Sequence, residues 1–162
     1  MTSGRYDELL ALLDSHQAKY RVLEHGPEGR TEIVSAMRGN AVDHAAKCIV
    51  VMLKLGKKTT KYVLAVVPGG AKLDLARLKS IFGATYAAFA SPNVAEELAG
   101  SVAGTILPFA FDQRLELIVD PALLHAPELF FNAARLDRSL ALATEDYQRI
   151  AAPRLERIAQ RP

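Results

Sequence analysis

Residues Cys48 to Leu53 form an unbroken apolar run rich in β-branched side chains, and Lys61 to Val67 is close to a second. Neither run alternates polar with apolar residues, so each reads as a strand covered on both faces. Gly56-Lys57-Lys58-Thr59-Thr60 between them has the length and composition of a hairpin loop. The 162 residues suit one compact domain spanning 1–162. At that length folding buries around two-thirds of the unfolded surface, so a core forms without staples.

The rest of the chain supplies elements to pack around this pair. Tyr6, Leu9, Leu10, Leu12 and Leu13 give residues 5–18 the spacing of an amphipathic helix, and Tyr20 to Glu24 reads as a short strand. Gly26-Pro27-Glu28-Gly29 forces a turn, after which Thr31-Glu32 opens a short helix through about Met37 that Gly39-Asn40 ends. Pro68-Gly69-Gly70 closes the second apolar strand. Asp74 to Phe82 then reads as a helix with Gly83 as its C-cap. Thr85 to Ala90 is a strand, and Ser91-Pro92 starts a helix, with serine as N-cap and proline first, ending by Gly100. Loop residues lead into Ile106–Phe111, a strand follows at Leu115 to Val119, and Asp120-Pro121 turns. Leu129–Asn132 and Ser139–Ala143 pair as final strands, and Thr144 or Glu145 opens a last helix that Pro153 interrupts. About seven strands among four or five helices, several joined by short loops, predict a mixed α/β (α+β) domain with a largely antiparallel sheet.

Composition excludes several classes. Half the residues are hydrophobic and 23% are charged, an ordinary globular balance rather than a disordered one. Mean hydropathy is +0.09, yet Lys54 stops the run that begins at Cys48, and no stretch approaches the ~20 residues of a membrane span. Met1-Thr2-Ser3-Gly4-Arg5 lacks the layout of a signal peptide, and the single cysteine, Cys48, cannot form an internal disulfide. A buried thiol, a cytoplasmic location and no membrane association are the expectations. Net charge of +2 and a pI near 8.7 are compatible with nucleic acid. Lys54, Lys57, Lys58 and Lys61 crowd one turn, and Arg149, Arg154, Arg157 and Arg161 lie near the C-terminus. Each group reads either as a phosphate contact or as a solvated surface.

The usual catalytic signatures are absent: Gly69-Gly70 lacks the Gly-Lys-Ser/Thr ending of a phosphate loop, and no Gly-x-Ser-x-Gly elbow occurs. His16, His25, His44 and His125 stand singly, without the partners of a zinc site, so neither metal nor other cofactor is expected. Two features remain. Lys47 stands immediately before the buried run, where it either snorkels to solvent or presents a cation at a pocket mouth. Gly104-Thr105-Ile106-Leu107-Pro108 is an apolar segment bounded by glycine and proline. It is either an ordinary connector or a rigid loop that binds a small substrate through its backbone.

Taken together, these features carry a resemblance. Ala45-Ala46-Lys47-Cys48-Ile49-Val50-Val51, Val63-Leu64-Ala65-Val66-Val67-Pro68, Lys72-Leu73-Asp74-Leu75, Ala90-Ser91-Pro92, the Gly-x-x-x-Pro loop at Gly104–Pro108 and Ile118-Val119-Asp120 follow one another as in the YbaK family. That family holds the bacterial prolyl-tRNA synthetase editing (INS-like) domains and their free-standing relatives, and the resemblance covers roughly residues 5–152. Ser35-Ala36-Met37-Arg38-Gly39 and Phe131-Asn132-Ala133-Ala134-Arg135-Leu136-Asp137-Arg138-Ser139 resemble the free-standing YeaK-type subgroup. The implied fold is a mixed sheet, partly closed like a barrel, with helices around it. The implied activity is trans-editing: hydrolysis of the ester in mischarged aminoacyl-tRNA, without metal, cofactor or protein nucleophile. Lys47 matches the family's functionally important lysine, a positioning cation. Gly104 and its neighbours match the loop whose backbone holds the aminoacyl group and an attacking water.

Departures from the family pattern narrow the substrate. Relatives acting on cysteinyl-tRNA carry tyrosine at Leu23 and a Ser-Gly-Gly-Lys-type segment at Asn132–Arg135; relatives specific for alanyl-tRNA carry histidine near Phe131–Asn132. Serine, threonine or another small amino acid, with alanine still eligible, is the implied cargo. Asn132 and Asp137 become either contacts to its hydroxyl or ammonium, or turn residues closing the last hairpin. The implied partner is the aminoacyl-tRNA acceptor end, with a synthetase or an elongation factor as a further partner. The alternative is a non-catalytic tRNA- or synthetase-binding module of the same fold.

Overall fold

Asp120 ends a strand and sits fully buried, yet its carboxylate is well supplied with donors. It accepts hydrogen bonds from the main-chain N–H groups of Ala122 (2.9 Å), Ile158 (3.0 Å) and Ala159 (2.8 Å), which ties the end of the chain to the middle of the fold. The computed structural model describes residues 4–160, so Arg161 of the C-terminal basic group lies outside the described residues.

In chain order the elements are α1 (Gly4–Ser15), β1 (Tyr20–Glu24), α2 (Thr31–Arg38), β2 (Ala46–Leu55), β3 (Thr59–Pro68), α3 (Leu75–Phe82) and β4 (Tyr86–Phe89). They continue with α4 (Pro92–Ala99), β5 (Leu115–Val119), β6 (Glu128–Asn132), β7 (Arg138–Ala143), α5 (Thr144–Ala151) and β8 (Arg154–Leu155). Local chemistry sets the boundaries as the sequence predicts. Asp74 and Ser91 accept from the N–H groups three residues on, and Gly100 ends α4 in the left-handed conformation.

The strands form two sheets, of order β1-β7-β6 and β4-β2-β3-β5-β8. The first is antiparallel throughout. In the second, β2 pairs antiparallel with β3 and β4, whereas β3–β5 and β5–β8 are parallel, so the mixed character is as expected. A single bridge between Ala45 and Phe130 joins the sheets, and the partial closure is therefore two sheets meeting at one edge.

Side-chain alternation along the β2–β3 hairpin divides the core in two. Val50, Leu64, Val66, Leu117 and Val119 face Leu129, Phe131, Leu140 and Leu142 of the smaller sheet, with Leu9 and Leu13 of α1 and Tyr147 of α5. Val51, Leu53, Val63, Ala65, Val67 and Ile118 face Leu78 of α3 and Ile158. Both faces are covered, which is why these strands read as continuous apolar runs.

Candidate functional site

Beyond Glu24 the chain leaves β1 but still follows the last hairpin, with His25 N–H donating to Asp137 O (3.1 Å) and Glu28 N–H to Leu136 O (3.1 Å). This brings Gly29 against Gly104. Gly104 has φ +84°, and a Cβ there would stand 2.8 Å from Gly29 Cα and 3.0 Å from its carbonyl oxygen. Only glycine satisfies both conditions, because the obstructing atoms are backbone.

Asn132, at the end of β6, fastens this contact. Its amide nitrogen donates to the carbonyls of Glu28 (2.8 Å) and Gly104 (2.9 Å). Its Oδ1 accepts from the hydroxyl of Ser139, its cross-strand partner on β7 (2.9 Å). Ser139 Oγ also accepts from Arg38 Nη1 (3.0 Å), and His25 Nε2 lies 2.7 Å away. One buried side chain therefore couples the turn before α2, the Gly104 loop and the last hairpin.

The rest of that loop is anchored inward. Thr105 is buried and its hydroxyl donates to Val102 O (2.7 Å); Leu107 is buried in the larger core. Pro108 O accepts from the phenol of Tyr147 (2.7 Å), whose ring meets Phe109 edge-on with centroids 5.2 Å apart.

Between these parts lies a pocket of about 190 Å³ lined by Gly29, Arg38, Lys47, Gly104, Ile106 and Asn132, with Thr31, Val34, Ala45, Ala46, Cys48 and Phe131. Of the residues singled out from sequence, Lys47, Gly104, Ile106 and Asn132 are brought together here. Thr105, Leu107 and Pro108 hold the loop from beneath. Asp137 lies away from the pocket, in an ion pair with Arg135 (2.9 Å). The Lys47 ammonium donates to Ala71 O, on the loop after β3, and keeps further donors. Cys48 is in the wall, and burial pushes its thiol far up, so it stays protonated rather than becoming a thiolate nucleophile.

Sequence reasoning missed Gly29 and Arg38 as pocket residues. Gly29 looked like one more turn residue, and its importance comes from Gly104, which packs directly on its main chain. Arg38 stood only within the Ser35–Gly39 segment that resembles the YeaK-type subgroup, with no role attached. Its three hydrogen-bond partners are Asn40 Oδ1 (2.9 Å), Ser139 Oγ (3.0 Å) and Ser35 Oγ (3.3 Å), with no carboxylate among them. Burial accordingly pulls its guanidinium down to about 10. Among the described residues no group of three His, Cys, Asp or Glu side chains is arranged to hold a metal ion.

Residues 27–150 match the aminoacyl-tRNA editing domain family. The chain is 41% identical over 154 residues to the multifunctional Ser/Thr-tRNA deacylase ProXp-y of Escherichia coli K12, covering 94% of this chain and 92% of that one. The O157:H7 protein of the same name matches equally. Among solved structures, the hypothetical protein APE2540 superposes with a TM-score of 0.84 at 18% identity, covering 94% of this chain and 99% of its own. A proposed trans-editing enzyme for prolyl tRNA synthetase gives 0.79 at 19%, covering 99% and 100%. At such identities these two structures speak to the fold alone. With the family match spanning most of the chain, and the Gly29–Gly104 pocket formed inside it, this protein belongs to the aminoacyl-tRNA editing domain family.

Proposed function

We propose that this chain hydrolyses the ester of mischarged tRNA carrying a small amino acid, serine or threonine first and alanine next, as a free-standing deacylase. The observation that carries this reading is a pocket of about 190 Å³ rimmed by the main chain of Gly29 and Gly104. A water's share of liquid volume is about 30 Å³, so such a pocket has room for a small aminoacyl group and an attacking water. The 41% identity to a protein named as a Ser/Thr-tRNA deacylase supports the same cargo.

The chemistry asks little of the protein. An aminoacyl ester is already activated, so positioning and stabilisation of the developing oxyanion supply most of the rate. Water adds to the ester carbonyl, the bond to the terminal ribose oxygen breaks, that oxygen takes one of the water's protons, the other passes to solvent, and the amino acid departs as its carboxylate. Lys47 supplies a positioning cation. Gly104 and its loop hold the aminoacyl group and the water through main-chain groups, with Ile106 against the cargo and Asn132 fixing the rim. The tRNA enters by its acceptor end, and a synthetase or an elongation factor in the cytoplasm supplies the choice of tRNA.

The test is deacylation of a panel of mischarged tRNAs by the purified protein. Release of serine and threonine is expected, with Lys47→Ala lowering kcat/KM at least tenfold while the melting temperature holds. A folded protein that releases no small amino acid, yet binds tRNA whatever it carries, would instead be a non-catalytic binding module.

A further inference from the structure

Arg38, like Lys47, is a cation of this pocket that forms no ion pair with a carboxylate among the described residues, and it is the one held by three side chains. It closes the last turn of α2, lines the pocket beside Asn132 and is half-buried. A guanidinium has five N–H donors in a rigid fork. Three of them are taken by Asn40, Ser139 and Ser35, all neutral, which leaves one on each terminal nitrogen. Holding a cation in that state costs free energy unless an anion comes to it. The fork cannot swing away either, because three partners fix its plane.

We propose that Arg38 binds a negatively charged oxygen of the substrate through its two remaining N–H groups. This inference rests on the deacylase reading. The oxygen comes from one of two sources, a phosphate next to the terminal adenosine or the ester carbonyl as it gains charge in the transition state. Both present the planar fork with the acceptor it matches. Lys47 and Arg38 then divide the work: Lys47 gives one donor to Ala71, and Arg38 is held in a fixed plane through Ser139 and Asn132, the same side chains that set the Gly104 rim. The cation and the rim are one hydrogen-bonded unit.

The experiment is steady-state deacylation of mischarged seryl-tRNA by wild type, Arg38→Gln and, as a control for loss of one surface charge, Arg77→Gln. Arg38→Gln is expected to lose at least tenfold in kcat/KM, with Arg77→Gln within twofold of wild type. Adenosine 5′-monophosphate and adenosine, used as inhibitors, separate the two sources. If phosphate supplies the oxygen, the monophosphate inhibits wild type at least tenfold better than adenosine, Arg38→Gln abolishes the difference, and the loss is in KM. If the carbonyl supplies it, the two inhibit alike and the loss is in kcat. Arg38→Gln activity within twofold of wild type overturns the proposal, and inactive wild type overturns it together with the deacylase reading. Should Arg38→Gln fail to fold, phenylglyoxal labelling of wild type decides. A non-hydrolysable seryl-tRNA analogue with an amide in place of the ester slows modification of Arg38 at least threefold if the proposal holds, and unchanged labelling overturns it.

Discussion

Asn132 spends every polar atom it has on the protein. Both amide protons go to backbone carbonyls and its oxygen takes the Ser139 hydroxyl, so it shapes the pocket by holding two loops together. Asn132→Ala leaves two carbonyls without donors, an expected loss of about 2 kcal/mol in urea denaturation. Asn132→Asp is expected to be worse, because carboxylate oxygens would face those same carbonyls. Cys48 illustrates the converse, a reactive group kept inert. Its thiol is held up by burial, so the native protein keeps a proton that the unfolded chain releases above about pH 8.5. The contribution is fully present below that pH and is lost as pH rises towards the native value. Urea midpoints measured from pH 8 to 10 should therefore fall, and Cys48→Ala should flatten the decline. Iodoacetamide at pH 8 should label the unfolded protein much faster than the native one.

At the scale of elements, α5 acts as a clamp on a loop it does not adjoin in sequence. Tyr147 is fully buried and donates to Pro108 O, and Phe109 packs on its ring. Tyr147→Phe keeps the packing and deletes the bond, with an expected cost of about 1–2 kcal/mol and a rise in KM for aminoacyl-tRNA as the Gly104 loop loosens. The helices, caps and hairpin strands were legible in sequence because their signals are local: Asp74, Ser91-Pro92, Gly100, and the apolar runs on either side of the lysine turn. The parallel pairing of β3 with β5 was not, since it joins segments separated by α3, β4 and α4. Nor was β8, two residues whose place depends on a parallel neighbour and on the distant carboxylate of Asp120. The site divides the same way. Lys47 and Gly104 stood out by pattern, whereas Gly29 and Arg38 acquire meaning only from what faces them.

On the scale of the whole molecule, the family match at 27–150 is shorter than the folding unit. Leu9 and Leu13 are fully buried in one core and Ile158 in the other, and all three lie outside that span. A protein cut to residues 27–150 would uncover both faces of the larger sheet. It should show no cooperative thermal transition, measurable by circular dichroism, while residues 4–160 melt as one unit. The lysine turn is also placed by this geometry. β2 runs from Ala46 to Leu55, about 30 Å at a strand's rise per residue, so Lys57 and Lys58 sit at the far end of the hairpin from the pocket. Lys61 and Arg154 share Glu116, which leaves less free positive charge on that side than the composition suggests. The Gly29–Gly104 contact has a bearing on how such a protein can diverge. A side chain at Gly104 meets the main chain of Gly29, so no second-site substitution can make room for it, whereas one at Gly29 meets the Leu136 side chain first. At Gly104 the rim is closed to drift, whereas the pocket wall, built from side chains such as Val34, Ile106 and Phe131, remains free to be retuned for another cargo.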